Sequence, residues 1–237
     1  MRALAAFQSY TPAGSGLYST TFAAAENPLS ESGAWVQGGT VGVGWNNVQS
    51  AGGNAYAAGF ATGYDDAVMC VNTSKGISGT SHYAEGTFVW PAGYNPSDTH
   101  ELQIHTACTI TTNSVQTYEF LVGSGFVRWN GPVGDWTIQG AADSNAGNGK
   151  GWTDSLIVNN GYAIADGDVF KVSYLYDGTE VTLTAYRNGS IIQQVKDTTA
   201  WKLTSGQPGL GAFVRNAPAG DAVRSSRAFS FCTVATV

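Results

Sequence analysis

The chain has 237 residues, of which 43% are hydrophobic and only 12% charged, with a formal charge of −6. That supplies ample apolar material for a core and argues against disorder. Its eleven Lys and Arg are scattered, so no basic stripe can neutralise phosphates or an anionic membrane surface, and no apolar run approaches the roughly 20 residues of a spanning helix; nucleic acid and membrane are excluded as partners.

From the start of the chain, the apolar stretch within residues 1–8 is about five residues long, short of the roughly 7 to 15 of a secretory h-region, so no signal peptide is expected. Residues 1–16 end in Tyr10-Thr11-Pro12-Ala13-Gly14-Ser15-Gly16, a turn-forming composition. They read as an N-terminal arm before a single domain over residues 17–237. Residues 17–22 are strand-like. A loop, Glu26-Asn27-Pro28-Leu29-Ser30, then leads through Gly33 to Trp35, an aromatic returning to the core. Residues 38–63, rich in Gly, Asn and Ala, suit short edge strands and loops.

Residues 67–71, 82–90, 101–111 and 115–122 combine β-branched and aromatic side chains with period-two alternation. In the second of these, Tyr83, Glu85, Thr87 and Val89 share one face, and Ala84, Gly86, Phe88 and Trp90 the other. Residues 126–130 and 136–139 follow as a hairpin around the turn signal Gly131-Pro132-Val133-Gly134. Residues 140–151 are too poor in apolar side chains for a core strand and read as a surface loop.

The last third is the most regular, with strands expected over residues 168–176, 181–187, 191–197, 209–214 and 227–234. Asn188-Gly189 supplies the positive φ angles of a type I′ hairpin turn. Five consecutive strands with no helical pattern between them argue for an all-β, antiparallel two-sheet jelly-roll sandwich over a parallel α/β fold. Cys70, Cys108 and Cys232 lack the paired spacing of a zinc or redox motif. They read as buried free thiols, with one disulfide and a spare thiol left open.

Three segments carry a family resemblance. The first is Phe22 followed by Glu26-Asn27-Pro28-Leu29 and Trp35; the second is Gly167-Asp168-Val169-Phe170-Lys171-Val172. The third runs Leu183-Thr184-Ala185-Tyr186-Arg187-Asn188-Gly189-Ser190-Ile191-Ile192 and on to Ser205-Gly206-Gln207-Pro208-Gly209-Leu210-Gly211. In these the chain resembles the concanavalin A-like lectin/glucanase superfamily, in particular laminin-G-like jelly rolls of bacterial and phage surface proteins. The resemblance covers the ends of the domain and fades between about residues 40 and 160. It implies a fold and not an activity, because lectins, glycan lyases, hydrolases and virion proteins share this scaffold.

A hydrolase resembling the retaining glucanases would place carboxylates at alternate positions of one strand. Here Glu26, Glu31, Glu85, Glu101, Glu119 and Glu180 are isolated, and only Glu85, Glu101 and Glu119 lie in expected central strands. Gln103-Ile104-His105 resembles an element of jelly-roll alginate lyases. On a strand Gln103 and His105 face the same way, and Tyr118 would be the proton-transfer group; the Arg-rich strand and the Tyr-x-Lys-Ala-Gly segment of those enzymes are absent. His82, His100 and His105 show no motif joining them to a nucleophile. Asp65-Asp66 is a weak candidate for Ca2+, since two carboxylates fall short of the 6 to 8 oxygen ligands that ion takes, and solvated turn residues are the plainer reading.

Glycan binding needs aromatic faces beside amides and hydroxyls. The candidates are Trp45-Asn46-Asn47, Trp129-Asn130 and Trp152-Thr153-Asp154. The sequence therefore points to a noncatalytic surface-display or attachment protein, of virion decoration or appendage kind, with glycan-binding capacity. Its expected partners are other protein subunits, a capsid or appendage surface, a glycan, and copies of itself; its expected location is a virion surface or the extracellular space. A secreted carbohydrate-binding module is the first alternative, and a polysaccharide lyase or glycoside hydrolase the second. No cofactor is expected, with Ca2+ left open.

Overall fold

The computed structural model describes residues 16–40, 45–57, 64–90, 99–111, 114–123, 126–136, 160–200, 202–215 and 228–236. All of the expected N-terminal arm except Gly16 lies outside them, as do residues 140–151. Among the described residues no helix is long and apolar enough to cross a membrane. The strands are β1 (Leu17–Thr20), β2 (Trp35–Gln37), β3 (Val48–Ala51), β4 (Asn54–Ala57), β5 (Tyr64–Val71), β6 (Ser81–Val89), β7 (Thr99–Ile110) and β8 (Ser114–Val122). There follow β9 (Phe126–Trp136), β10 (Asn160–Gly161), β11 (Val169–Tyr176), β12 (Val181–Arg187), β13 (Ser190–Asp197), β14 (Gln207–Arg215) and β15 (Ala228–Thr236).

They form two antiparallel sheets packed face to face, a jelly-roll-like β sandwich. Sheet I has the order β13-β12-β11-β6-β15-β4-β3, with β1 also paired to β15; sheet II has the order β10-β9-β8-β7-β14-β5-β2. Neighbours such as β6 and β15, or β7 and β14, are distant in the chain, so the sandwich closes only when its last third is in place.

Strand alternation builds the core. In β6 the inward residues are His82, Ala84, Gly86 and Phe88, all buried, while Tyr83, Glu85 and Thr87 face outward. Phe88 packs against Phe170 of β11 and Phe229 of β15 at centroid distances of 4.8 and 5.1 Å. On the facing sheet Phe120 of β8 lies 4.7 Å from Trp129 of β9. Each such ring removes enough apolar surface from water to stabilise the fold by about 1.5–3 kcal/mol. Gly86 is required by this packing, because a Cβ there would lie 2.5 Å from the Phe229 ring.

One end of the core is polar and ties the sheets together. Tyr118 of β8 donates to Asp197 of β13 at 2.7 Å and accepts the Leu203 amide at 3.1 Å. Tyr174 of β11 donates to the Leu203 carbonyl at 2.8 Å and stacks on His82, with centroids 4.7 Å apart. His82 Nε2 in turn accepts the amide of Ala107 at 3.0 Å. That amide is free because β7 bulges there. Ala107 has φ +49°, and the pairings of β7 with β8 and with β14 both shift register around it.

Two expectations are corrected. Residues 126–136 are one strand rather than two strands around a turn. The pairing of β9 with β8 passes from Thr117↔Val133 to Glu119↔Asn130, so Gly131-Pro132 lies at a bulge, where a proline without an amide proton is tolerated. Asp65 and Asp66 are strand residues of β5, opposite Val214 and Phe213, and not turn residues.

The Asn188-Gly189 turn is as expected, with φ 50° and 80°. It is locked to the start of β11 by Asp168, whose carboxylate takes hydrogen bonds from Arg187 (2.5 Å), Asn188 (2.8 Å) and the Ala165 amide (2.7 Å). Burial opposes ionisation of Asp168, but the Ala165 amide, Arg187 and Asn188 together hold its carboxyl below the usual range.

Candidate functional site

Sheet II turns its second face away from sheet I, and two adjacent rows of residues run across it, with Val68, Cys70, Gln103, His105, Glu119 and Leu121 buried. In register order the first row is Val68, Gly211, Gln103, Leu121 and Arg128, from β5, β14, β7, β8 and β9. The second is Cys70, Gly209, His105, Glu119 and Asn130. The expected pairing of Gln103 with His105 on one face is present. His105 Nε2 lies 3.2 Å from Gln103 Oε1, and Nδ1 lies 3.2 Å from the Thr117 hydroxyl. An amide oxygen only accepts, so the contact with Gln103 calls for the ring proton on Nε2; the Thr117 hydroxyl also lies within hydrogen-bond distance of the Thr106 and Tyr118 carbonyls.

Gly211 makes room for this pair, since a Cβ there would lie 2.3 Å from His105 Nε2 and 2.7 Å from Gln103 Oε1. Trp45, which precedes β3, meets the His105 ring edge-on at 6.4 Å, and the next residue, Asn46, bridges to Ala67 of β5. A tryptophan, an amide and a histidine from separate parts of the chain are thus gathered on one face. Arg128 closes the far side with an ion pair to Glu101 at 3.6 Å.

Burial sets the electrostatics. His105 is fully buried, and desolvation lowers its pKa to about 3, far from the poise near neutrality that proton transfer at physiological pH favours. Cys70 and Cys108 are free and buried. The hydrogen bond that the Cys108 thiol donates to Cys70, with burial, lifts that thiol well above its ordinary value, so it is a poor nucleophile. The two cysteines flank β14 on β5 and β7, with their thiols within hydrogen-bond reach of each other. The side chain of Cys232 is outside the described residues.

The other candidates fall elsewhere. Tyr118 is buried on the inner face of β8, hydrogen-bonded to Asp197, on the opposite side of the sheet from Gln103 and His105. Burial, followed by the Asp197 bond, pushes its phenol far above the usual range. Trp129 is a core residue against Phe120 and presents no surface to a glycan. Trp152 and Asp154 lie outside the described residues, and of Asn130 only the strand position is described. Among the described residues no group of three or more His, Cys, Asp and Glu is placed to hold a metal ion.

Glu85 faces outward on sheet I, while Glu101 and Glu119 face outward on sheet II. Glu119 is level with His105, four residues along β7 from Glu101, so the Cα positions of these two residues are about 14 Å apart.

No protein-family model matches the chain, and no curated protein matches it. Solved structures do. A protein of unknown function from Shewanella oneidensis MR-1 superposes with a TM-score of 0.52 at 14% identity, over 97% of this chain and 90% of its own. An endo-1,3-beta-glucanase from Streptomyces sioyaensis also reaches 0.52, at 10% identity, over 98% of this chain and 99% of its own. The CBM2 module of the evolved Dit protein of Lactobacillus casei BL23 phage J-1 gives 0.49 at 12% identity, over 94% and 96%. At these identities the likeness is one of fold.

Arg128 and Thr117 belong to this face and were not among the sequence candidates. Arg128 stands two residues from Asn130, so strand alternation puts both on one face. Thr117 is placed beside His105 only by the bulge at Ala107, which no local pattern announces.

Proposed function

We propose that this protein is a noncatalytic glycan-binding attachment domain of concanavalin A-like type, and that its binding face is the outer face of sheet II. The observation that carries the reading is the gathering of Trp45, Gln103 and His105 on that face, while the phenol a lyase would need points into the core. Gln103 and His105 are fully buried. They act as positioning residues, and the glycan meets the accessible ends of the rows, Asn46 beside β5 and Arg128 on β9, whose side chain is 34% exposed. The fold neighbours include a protein that acts on a 1,3-beta-glucan, which supports a glycan as the ligand class. Display on a virion or extracellular surface beside other protein subunits is the setting we propose, since the face offers recognition without turnover. The reading requires no metal.

Affinity electrophoresis and calorimetry against neutral and uronate-containing polysaccharides test this. At least one polysaccharide should bind, Asn46→Ala and Arg128→Ala should each weaken it by about tenfold, equivalent to about 1.4 kcal/mol, and no reducing ends or unsaturated uronates should accumulate. Release of unsaturated uronates that stops in His105→Ala would replace the reading with a lyase.

A further inference from the structure

The outer face of sheet I is built differently from that of sheet II. Six strands, β13-β12-β11-β6-β15-β1, lie side by side, and their outward residues form registered rows. One row reads Gln194, Thr184, Ser173, Tyr83, Ala235 and Leu17. The next reads Ile191, Tyr186, Lys171, Glu85, Thr233 and Ser19. A shorter third row holds Lys196, Thr182, Leu175 and Ser81.

Leu17, Leu175 and Ile191 are the large hydrophobic side chains exposed among the described residues, at 67%, 48% and 62%, and all three stand on this one face. Between them lie Tyr83 and Tyr186, with the Lys171 ammonium 4.2 Å from the Tyr186 centroid and 5.7 Å from that of Tyr83. An open antiparallel sheet ordinarily turns polar side chains to water. Exposed apolar groups concentrated on one such face mark an interaction surface.

We infer that this face packs against the same face of a second copy. Three features of the face select that occupant. First, the chain as a whole carries −6, a charge that keeps copies apart, whereas the rows are balanced: Glu85 is opposite Lys171, and Lys196 is ion-paired to Glu180. Second, the platform measures roughly 500 Å² in plan from strand spacing and rise, comparable in scale with the about 800 Å² each partner buries in a stable complex.

Third, the face is self-complementary. Sheets pack with strand directions within about 30° of each other, and a closed pair uses one patch twice. A twofold axis along the strands, midway between β11 and β6, sets β11 of one copy over β6 of the other. Lys171 of each copy then comes over Glu85 of the other, and Ser173 over Tyr83, with the aliphatic side chains around them.

Sedimentation velocity of the full chain over a micromolar concentration series tests this. The wild type should sediment as a dimer. Glu85→Lys and Lys171→Glu should each bring like charges together across the axis and weaken dimerisation at least tenfold, and the double reversal E85K/K171E should recover it. Leu175→Glu should give a monomer. Circular dichroism and cooperative melting identify any variant that fails to fold, in which case Leu175→Glu decides. A monomeric wild type, single reversals that leave the dimer intact, or a folded double reversal that stays monomeric would each overturn the inference. So would a wild-type monomer whose glycan binding is lost in Leu175→Glu, since a glycan would then be the occupant. The glycan reading for sheet II stands or falls separately, on Asn46 and Arg128.

Discussion

His82 in sheet I accepts the amide proton of Ala107 in sheet II, so a single imidazole spans the interior of the sandwich and satisfies the one backbone donor that the β7 bulge turns inward. The bulge is what places Cys108 and Thr117 beside His105 on the far side of the sheet. A core histidine thus positions the outer face without touching it.

Replacing that acceptor should be costly. His82→Leu keeps the volume but leaves the Ala107 amide buried and unpaired, and should destabilise the protein by about 2–4 kcal/mol. Urea denaturation measures this. An unchanged midpoint would show that the bulge is held by other contacts, such as Gly206, whose added Cβ would lie 2.3 Å from the Ala107 carbonyl carbon.

Stability should fall in mild acid. Desolvation lowers the pKa of both His82 and His105 to about 3, against about 6.5 in the unfolded chain. Between those values the unfolded state binds more protons, so stability rises with pH across this window, is complete above about 6.5, and is lost as pH drops toward 3. Each histidine contributes about 2 kcal/mol to the loss at pH 5. Asp168 acts in the same direction at lower pH, because its depressed carboxyl stabilises the fold above its unfolded pKa and ceases to as pH falls through the folded one. Denaturation midpoints from pH 8 to pH 4 should slope less steeply in His105→Gln than in the wild type.

Gly211→Ala tests the floor of the candidate site. Its Cβ would lie 2.5 Å from the Ala67 carbonyl oxygen as well as against His105 and Gln103. The backbone oxygen cannot swing aside, so a loss of about 1–3 kcal/mol is expected. Glycan affinity should fall along with it. A variant of full stability and affinity would mean that β14 can withdraw from β5 without disturbing the rows.

Asp168→Ala should destabilise by about 2–4 kcal/mol, because it leaves the Arg187 guanidinium without its carboxylate and frees the hairpin from the start of β11. Thermal unfolding reads this. Lys196→Ala, which removes an exposed ion pair with Glu180, should cost far less than Asp168→Ala, and equal effects at the two sites would contradict the lock.

The sequence announced the parts of this fold in which each strand has one wet face. β6 alternates cleanly, and Asn188-Gly189 could only be a hairpin, so the edge of sheet I was readable from local chemistry. Sheet II is harder because β7 and β8 are buried on both faces. Glu101, Gln103, His105 and Glu119 sit where an alternating pattern suggests solvent, and their burial depends on contacts remote in sequence. Gly131-Pro132 suggested a turn, and only the register of β8 shows that a bulge absorbs the proline. Gln103 and His105 were legible as a pair by parity, whereas the exclusion of Tyr118 required knowing that Asp197 and Leu203 meet it inside the core. Trp129 suggested a platform beside Asn130, but adjacent strand residues point to opposite faces, and the tryptophan took the inner one.

The pairing of β1 with β15 has a mechanical consequence. Leu17 lies opposite Ala235 and Thr20 opposite Cys232, so a pull applied between Leu17 and Thr236 loads the four residue pairs one after another instead of all together. Such a seam unzips at low force. β15 would remain held by β6 as β1 peels away, so tension on the domain would be relieved by a short, re-closable extension at its margin before the rows of sheet II are disturbed.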